Sequence, residues 1–138
     1  MSAEAKFRRA FETAIRRHVP LLAYMASMTR AGVPDEYLMF EGRSYWLELK
    51  AFAGWPKNPG TNVLDHRFSG PQIAFMRRVD AAGGRGLGVI GFDDKCVVIR
   101  VNNIGGDGTV TRAQIERHRQ LVLDTGFAQR FLTLITRS

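Results

Sequence analysis

Two carboxylates and one lysine stand in this sequence at spacings that suit metal-assisted hydrolysis of a phosphate ester. Glu48 and Lys50 are two positions apart in the apolar run 45–50, and Asp35 directly follows Pro34. Alternate residues of a β-strand face the same side, so a strand here would place Glu48 beside Lys50. An apolar strand buries a carboxylate and an ammonium at high cost unless they pair or bind a metal ion. These three charged residues therefore form the centre of a candidate site.

The chemistry expected of such a site is phosphodiester hydrolysis. Carboxylate oxygens suit Mg²⁺, which keeps several coordination positions for waters and a substrate phosphate. The ion can polarise the phosphoryl group and activate a water. Lys50 would orient that water or stabilise the negative charge that grows on the phosphate. We expect Mn²⁺ to substitute for Mg²⁺.

The local elements predict how these residues come together. Strands are expected from Glu36 to Phe40 and from Ser44 to Lys50, and the Glu-Gly-Arg segment 41–43 between them suits a hairpin turn. A hairpin returns the end of its second strand to the start of its first. Asp35 is therefore expected opposite Glu48, where both carboxylates can hold one cation.

The other periodicities predict helices and further strands on either side of this hairpin. An amphipathic helix is expected at 3–18, and the apolar run 21–28 is either a second helix or a short strand. Ser69 is expected to cap a helix that reaches about Ala82. Later strands are expected at 87–92 and 96–101, and closing helices at 111–123 and 127–135.

This order predicts an α/β fold with a central mixed sheet of four to five strands flanked by helices. The crossover helix can join a parallel pair of strands. At 138 residues the chain is expected to form one domain. The stretch 53–68 is rich in turn formers and longer than an ordinary connection, so it is expected to serve function or to be mobile.

Several motifs in sequence order resemble the PD-(D/E)xK nuclease superfamily. They are Gly32-Val-Pro-Asp35, the hairpin, Trp46-Leu-Glu48-Leu-Lys50, Ser69-x-x-Gln72 and Ala81-Ala-Gly-Gly84 before a strand. The resemblance spans about Glu4 to Val101 and is greatest to small phage, VRR-type and Holliday-junction-resolvase-like members. It implies a restriction-endonuclease-like core in αβββαβ-type order and a Mg²⁺-dependent endonuclease that acts on branched or structured DNA in recombination, repair or phage-type DNA processing.

The resemblance also implies roles for single residues. Asp35 and Glu48 would be metal ligands together with the carbonyl of Leu49. Family members often add a glutamate from the first helix, which Glu4 or Glu12 would supply, and Glu4 fits the family's position better.

Two further site residues follow from the same resemblance. Lys50 would be the catalytic lysine. Gln72 matches a polar residue that family members carry on the helix after the core strands, from where it can reach the site.

The charge balance predicts an acidic partner. Twenty Lys and Arg against thirteen Asp and Glu give a net charge of +7, as expected of a polyanion binder. Cations on the first helix and in the long loop are candidate contacts to the DNA backbone: Arg8, Arg9, Arg16, Lys57 and Arg67. The single cysteine, Cys96, excludes a thiolate zinc site and is expected to be a small buried hydrophobe.

Other interpretations fit the same sequence. A non-catalytic, basic nucleic-acid-binding module would bind in a salt-sensitive way without metal, and in a structural protein of a phage-like particle the carboxylates would be incidental. A homodimer is one expected arrangement, because two copies on a twofold axis present two sites to two DNA strands. Without an apolar stretch of about 18 residues, we expect no membrane partner and a cytoplasmic location, in the host if the protein is phage-encoded.

Overall fold

A computed structural model describes residues 2–25, 32–52, 57, 58, 60 and 68–137. Within these ranges, one mixed sheet of six strands lies between two layers of helices. The strands are β1 (Leu21–Tyr24), β2 (Glu36–Phe40), β3 (Arg43–Ala51), β4 (Arg85–Phe92), β5 (Lys95–Arg100) and β6 (Leu121–Val122), and the helices are α1 (Ala3–Ile15), α2 (Gly70–Ala81), α3 (Arg112–Glu116) and α4 (Phe127–Thr136).

The strands lie side by side in chain order from β1 to β6. Strands β3 and β4 pair in parallel, and each of the other neighbours is antiparallel. Helix α2 makes the crossover between the parallel strands, as parallel pairing requires. The predicted α/β class, the mixed sheet and the αβββαβ order are confirmed.

The hairpin of β2 and β3 closes through Glu41 and Gly42. Their φ angles are 51° and 75°, and two positive values in sequence are typical of a two-residue turn that matches the twist of the strands. Pairing between the strands begins with Glu36 opposite Leu47. One step further out, this register sets Asp35 opposite Glu48.

The two faces of the sheet carry different cores. On one face, Leu47 and Leu49 of β3 pack with α1 and α4 through Phe11 and Phe131. Because side chains alternate along a strand, Glu48 and Lys50 point to the other face, where α2 and α3 pack. Glu48 and Lys50 therefore lie on the α2 side of the sheet.

Two sequence-based expectations about elements need correction. The helix expected at 111–123 ends at Glu116, and Leu121–Val122 instead forms a strand that pairs with Lys95 and Cys96. This pairing gives partners to the backbone groups of β5, which would otherwise form an open edge. With β1 at the opposite edge, the described sheet has six strands, where four to five were expected.

Smaller expectations are resolved in the same core. Leu21–Tyr24 of the ambiguous run 21–28 is a strand, whereas 26–28 lies outside the described residues. Cys96 is buried as predicted, and burial raises the pKa of its thiol to about 12. No helix in the described part of the chain combines the length and the apolar composition needed to cross a bilayer.

Candidate active site

Asp35 directly precedes the first residue of β2, and the hairpin register places Glu48 of β3 opposite it. The backbone N–H of Asp35 donates to Glu48 Oε1 at 3.2 Å. In the other direction, the backbone N–H of Leu49 donates to Asp35 Oδ2 at 3.0 Å. Each carboxylate is therefore held by the backbone of the opposite strand, and the two acids occupy fixed positions before any ligand arrives.

Lys50 and Gln72 converge on the second oxygen of Glu48. Lys50 Nζ lies 3.2 Å from Glu48 Oε2, and Gln72 Nε2 donates to the same oxygen at 2.8 Å. The side chains of Glu48 and Lys50 are 3% and 10% exposed, so water screens this pair only weakly. Four of the residues expected from sequence thus form one cluster: Asp35, Glu48, Lys50 and Gln72.

Helix α2 fixes the amide of Gln72 through its own first turn. The Ser69 hydroxyl accepts from the Gln72 backbone N–H, and the Gln72 side-chain oxygen accepts from the Ser69 backbone N–H at 2.8 Å. This reciprocal pair is a capping box. With its oxygen engaged in the cap, the amide has its nitrogen left to donate to Glu48.

The pKa values of both acids are shifted upward. Burial raises the pKa of Asp35 above its usual range, although the Leu49 N–H and the charge of Lys50 oppose the shift. Burial, together with the negative charge of Asp35, raises the pKa of Glu48 to about 7. Two desolvated carboxylates in close proximity destabilise each other's charged form. The arrangement therefore favours binding of a cation.

A cleft of about 260 Å³ opens beside Asp35 and Leu49, next to the first turns of α1. Glu4 and Arg8 form its helical wall. The Arg8 guanidinium lies over the Tyr24 ring, 4.0 Å from its centroid. Arg8 therefore lines the cleft that contains Asp35, and Glu12 Oε1 lies 3.5 Å from its guanidinium.

The donor set of this cleft fits a hard divalent cation. Asp35 and Leu49 line the cleft, and Glu48, which accepts a hydrogen bond from the Asp35 N–H, adds a second carboxylate beside it, so the Leu49 carbonyl is the next candidate. Within the described ranges, no three side chains of Asp, Glu, His or Cys converge as a metal-binding group. Glu4 reaches the wall of the cleft without completing such a group, and its role as a ligand stays a prediction.

The structure describes four of the five residues expected to contact DNA, and their role stays a prediction. Arg8 faces the cleft, but Arg9 borders a different depression beside Asp124. Arg16 is exposed, 3.9 Å from Glu12. Lys57 is exposed, whereas Arg67 lies outside the described residues.

Sequence reasoning missed a buried carboxyl beside the site. Glu36 is fully buried, and neither of its carboxyl oxygens has a hydrogen-bond partner among the described groups. Burial and the neighbouring Glu12, to which a protonated Glu36 can donate, raise the pKa of Glu36 to about 9. The available signal was its position in β2, because Glu36 shares the inward face with Leu38.

Comparison with known proteins gives a likeness in structure but not in sequence. No family model and no curated protein matches the chain. A solved structure that does match is Hjc of Archaeoglobus fulgidus, a Holliday junction resolvase from an archaeal hyperthermophile, with a TM-score of 0.60 over 86% of this chain and 92% of that chain. Sequence identity is 9%, so the match establishes the fold. The chain has a mixed α/β core of the restriction-endonuclease-like kind.

Proposed function

We propose that this protein is a metal-dependent endodeoxyribonuclease that hydrolyses phosphodiester bonds in branched or otherwise structured DNA. The observation that carries the proposal is the convergence of Asp35, Lys50 and Gln72 on Glu48. A buried cluster of two acids, a lysine and an amide is costly for a fold unless it serves a purpose. The fold likeness to a Holliday junction resolvase supports the same chemistry.

Each residue has a role that follows from its position. Asp35 and Glu48 would hold Mg²⁺ or Mn²⁺, which polarises the phosphoryl group and activates a water when bound. Lys50 Nζ, 3.2 Å from Glu48, would stabilise the charge that grows on the phosphate or orient the attacking water. Gln72 keeps Glu48 in one orientation through its 2.8 Å hydrogen bond.

The substrate class rests on charge and on the fold. A net charge of +7 suits a polyanionic partner, and Arg8 places positive charge beside the acids. The resolvase that shares the fold is named for a branched substrate. We propose a homodimer, since two copies related by a twofold axis would present two sites to two strands of such a junction.

A cleavage assay with labelled duplex, single-stranded and four-way DNA tests the proposal, with Mg²⁺, with Mn²⁺ and with EDTA. We expect metal-dependent cleavage of the four-way substrate. Asp35→Asn and Lys50→Met should each lower the rate by a factor of about 10² or more. Lys95→Met, which removes a lysine from β5, is the matched control and should cleave like the wild type.

Two results would count against the nuclease. One is equal cleavage by the wild type and Lys50→Met, which would point to a contaminating enzyme. The other is salt-sensitive DNA binding with no cleavage under any metal condition, which would instead support a non-catalytic binding module.

A further inference from the structure

Lys50 has a second buried neighbour besides Glu48. Its Nζ lies over the ring of Phe68, 5.6 Å from the ring centroid. Phe68 is 1% exposed and belongs to the core between the sheet and α2. The ammonium therefore lies between a carboxylate at 3.2 Å and the face of an aromatic ring.

The position of the Phe68 ring is set by its surroundings. The Phe68 backbone N–H donates to the carbonyl of Gly108 at 3.0 Å. The tip of the ring occupies space that Gly88 leaves free on β4, because a Cβ at Gly88 would lie 2.7 Å from Phe68 Cζ. The ring is therefore confined on its sheet side, and the backbone of Phe68 is hydrogen-bonded to a neighbouring segment.

Phe68 is also tied to the other polar group of the cluster. It directly precedes Ser69, whose capping box orients Gln72 toward Glu48. One short segment thus brings a ring to Lys50 and an amide to Glu48. Both contacts act on the same ion pair from the α2 side of the sheet.

We propose that Phe68 is a positioning residue that holds the Lys50 ammonium in its reactive place, an inference that rests on the proposed nuclease function. A ring face attracts a cation electrostatically. Unlike a carboxylate or a carbonyl, it does so without engaging an N–H of the ammonium in a strong hydrogen bond. Lys50 thus stays fixed while its protons remain available to Glu48 and to a substrate phosphate.

The competing explanation is that Phe68 only fills the core. Leucine would then serve almost as well at this position, apart from a general loss of stability. A role through Lys50 requires more: removal of the ring must change the environment of the Lys50 side chain, and it must slow the chemical step without weakening DNA binding. The two explanations therefore differ in measurements other than stability.

The first test observes Lys50 directly, without any need for activity. The chain has four lysines, so ¹³C-labelled lysine side chains give a simple NMR spectrum in which Lys50→Met identifies the Lys50 signal. We expect the ε-methylene protons of Lys50 to be shifted upfield by the ring, and this shift to disappear in Phe68→Leu. Phe131→Leu, a fully buried phenylalanine on α4, is the matched control and should leave the signal unchanged.

The second test measures single-turnover cleavage of four-way DNA, together with DNA affinity in Ca²⁺. Phe68→Leu should lower the cleavage rate by about ten- to a hundredfold with little change in affinity, because a misplaced catalytic group affects the chemical step. Gly88→Ala retains the ring but pushes on it, so it should show the same defect if Phe68→Leu folds poorly. Gly91→Ala is the control for Gly88→Ala. Its new Cβ would press on Phe7, on the opposite face of the sheet from Phe68, so this variant should not show the cleavage defect.

The outcomes separate the two proposals. An unshifted Lys50 signal, or a Phe68→Leu variant that cleaves like Phe131→Leu at equal folded fraction, overturns the positioning role and leaves the nuclease assignment intact. If the Lys50 signal is shifted in a way that depends on Phe68 but the protein cleaves no substrate, the nuclease function is rejected. The proposed catalytic role of the contact between Phe68 and Lys50 is then rejected as well.

Discussion

Glu48 is the residue on which the site depends. One of its oxygens accepts a hydrogen bond from the backbone N–H of Asp35. The other accepts a hydrogen bond from Gln72 and forms an ion pair with Lys50. Burial and the negative charge of Asp35 raise the pKa of Glu48 to about 7. A single side chain therefore links the proposed metal ligands to the proposed catalytic lysine.

Glu36 predicts a distinctive pH dependence of stability. Its folded pKa of about 9 lies above the usual 4.5, so the folded state binds more protons than the unfolded state between these values. The contribution of Glu36 is fully present below about pH 4.5 and is lost as the pH rises toward 9. In EDTA, Glu36→Gln should therefore unfold at a higher temperature than the wild type at pH 8, with a smaller difference at pH 5.

The matched control for this prediction is Glu41→Gln, since Glu41 is exposed in the β2–β3 turn. Thermal unfolding followed by circular dichroism at several pH values measures both variants. If Glu36→Gln is no more stable than the wild type at pH 8, the carboxyl has a partner that offsets its burial, and the raised pKa is wrong.

Among single residues, the sequence could predict those whose role follows from residue type and spacing alone. Asp35, Glu48 and Lys50 were found because period two and a hairpin turn determine their neighbours. Phe68 could not be found, since its contact with Lys50 depends on where the end of the long 53–68 stretch lies. The consequence of burying Glu36 depends on Glu12, which lies on a separate element, and strand periodicity contains no information on that neighbour.

Among the elements, α2 does more than cover the sheet. Its capping box uses Ser69 and Gln72, and the same Gln72 reaches Glu48. Helix α3 begins with the same kind of box, built from Thr111 and Gln114, and packs in the core through Ile115. The two boxes provide an internal comparison between a cap that supports the site and one that does not.

Ser69→Ala and Thr111→Ala should each lower the free energy of unfolding by about 1 kcal/mol, because each removes a helix cap. Only Ser69→Ala should slow cleavage, by about tenfold, since loss of the hydroxyl that accepts from the Gln72 backbone N–H loosens the helical turn that carries the Gln72 side chain. Urea unfolding and single-turnover cleavage measure the two effects. Equal rates for the two variants would show that the cap of α2 contributes to folding alone.

One element also shows where the local sequence pattern fails to determine the secondary structure. Residues 111–123 have apolar positions compatible with a helix, but the edge of β5 offers backbone partners to Leu121 and Val122. Hydrogen bonds to a neighbouring strand then override the local pattern. By contrast, the strands of the hairpin and the capped start of α2 carry local signals, namely turn residues and a cap, and both were predicted correctly.

For the molecule as a whole, the charge distribution predicts which surface would contact DNA. Arg8 lines the cleft that contains Asp35, whereas Arg137 is exposed at the end of α4. Arg8→Gln should weaken binding and reduce the slope of log affinity against log salt by about one, as expected for the loss of one phosphate contact. Arg137→Gln should change the slope little. Identical slopes for the two variants would place the DNA away from this cleft.

The proposed function requires that Asp35 and Glu48 share one divalent cation. Anomalous diffraction at the manganese edge, from a crystal soaked in Mn²⁺, tests it most directly. We expect one strong peak in contact with an oxygen of each carboxylate, and the loss of that peak in Asp35→Asn crystals. Density with both side chains in place and no anomalous peak between them, at a Mn²⁺ concentration that labels other sites, would contradict it.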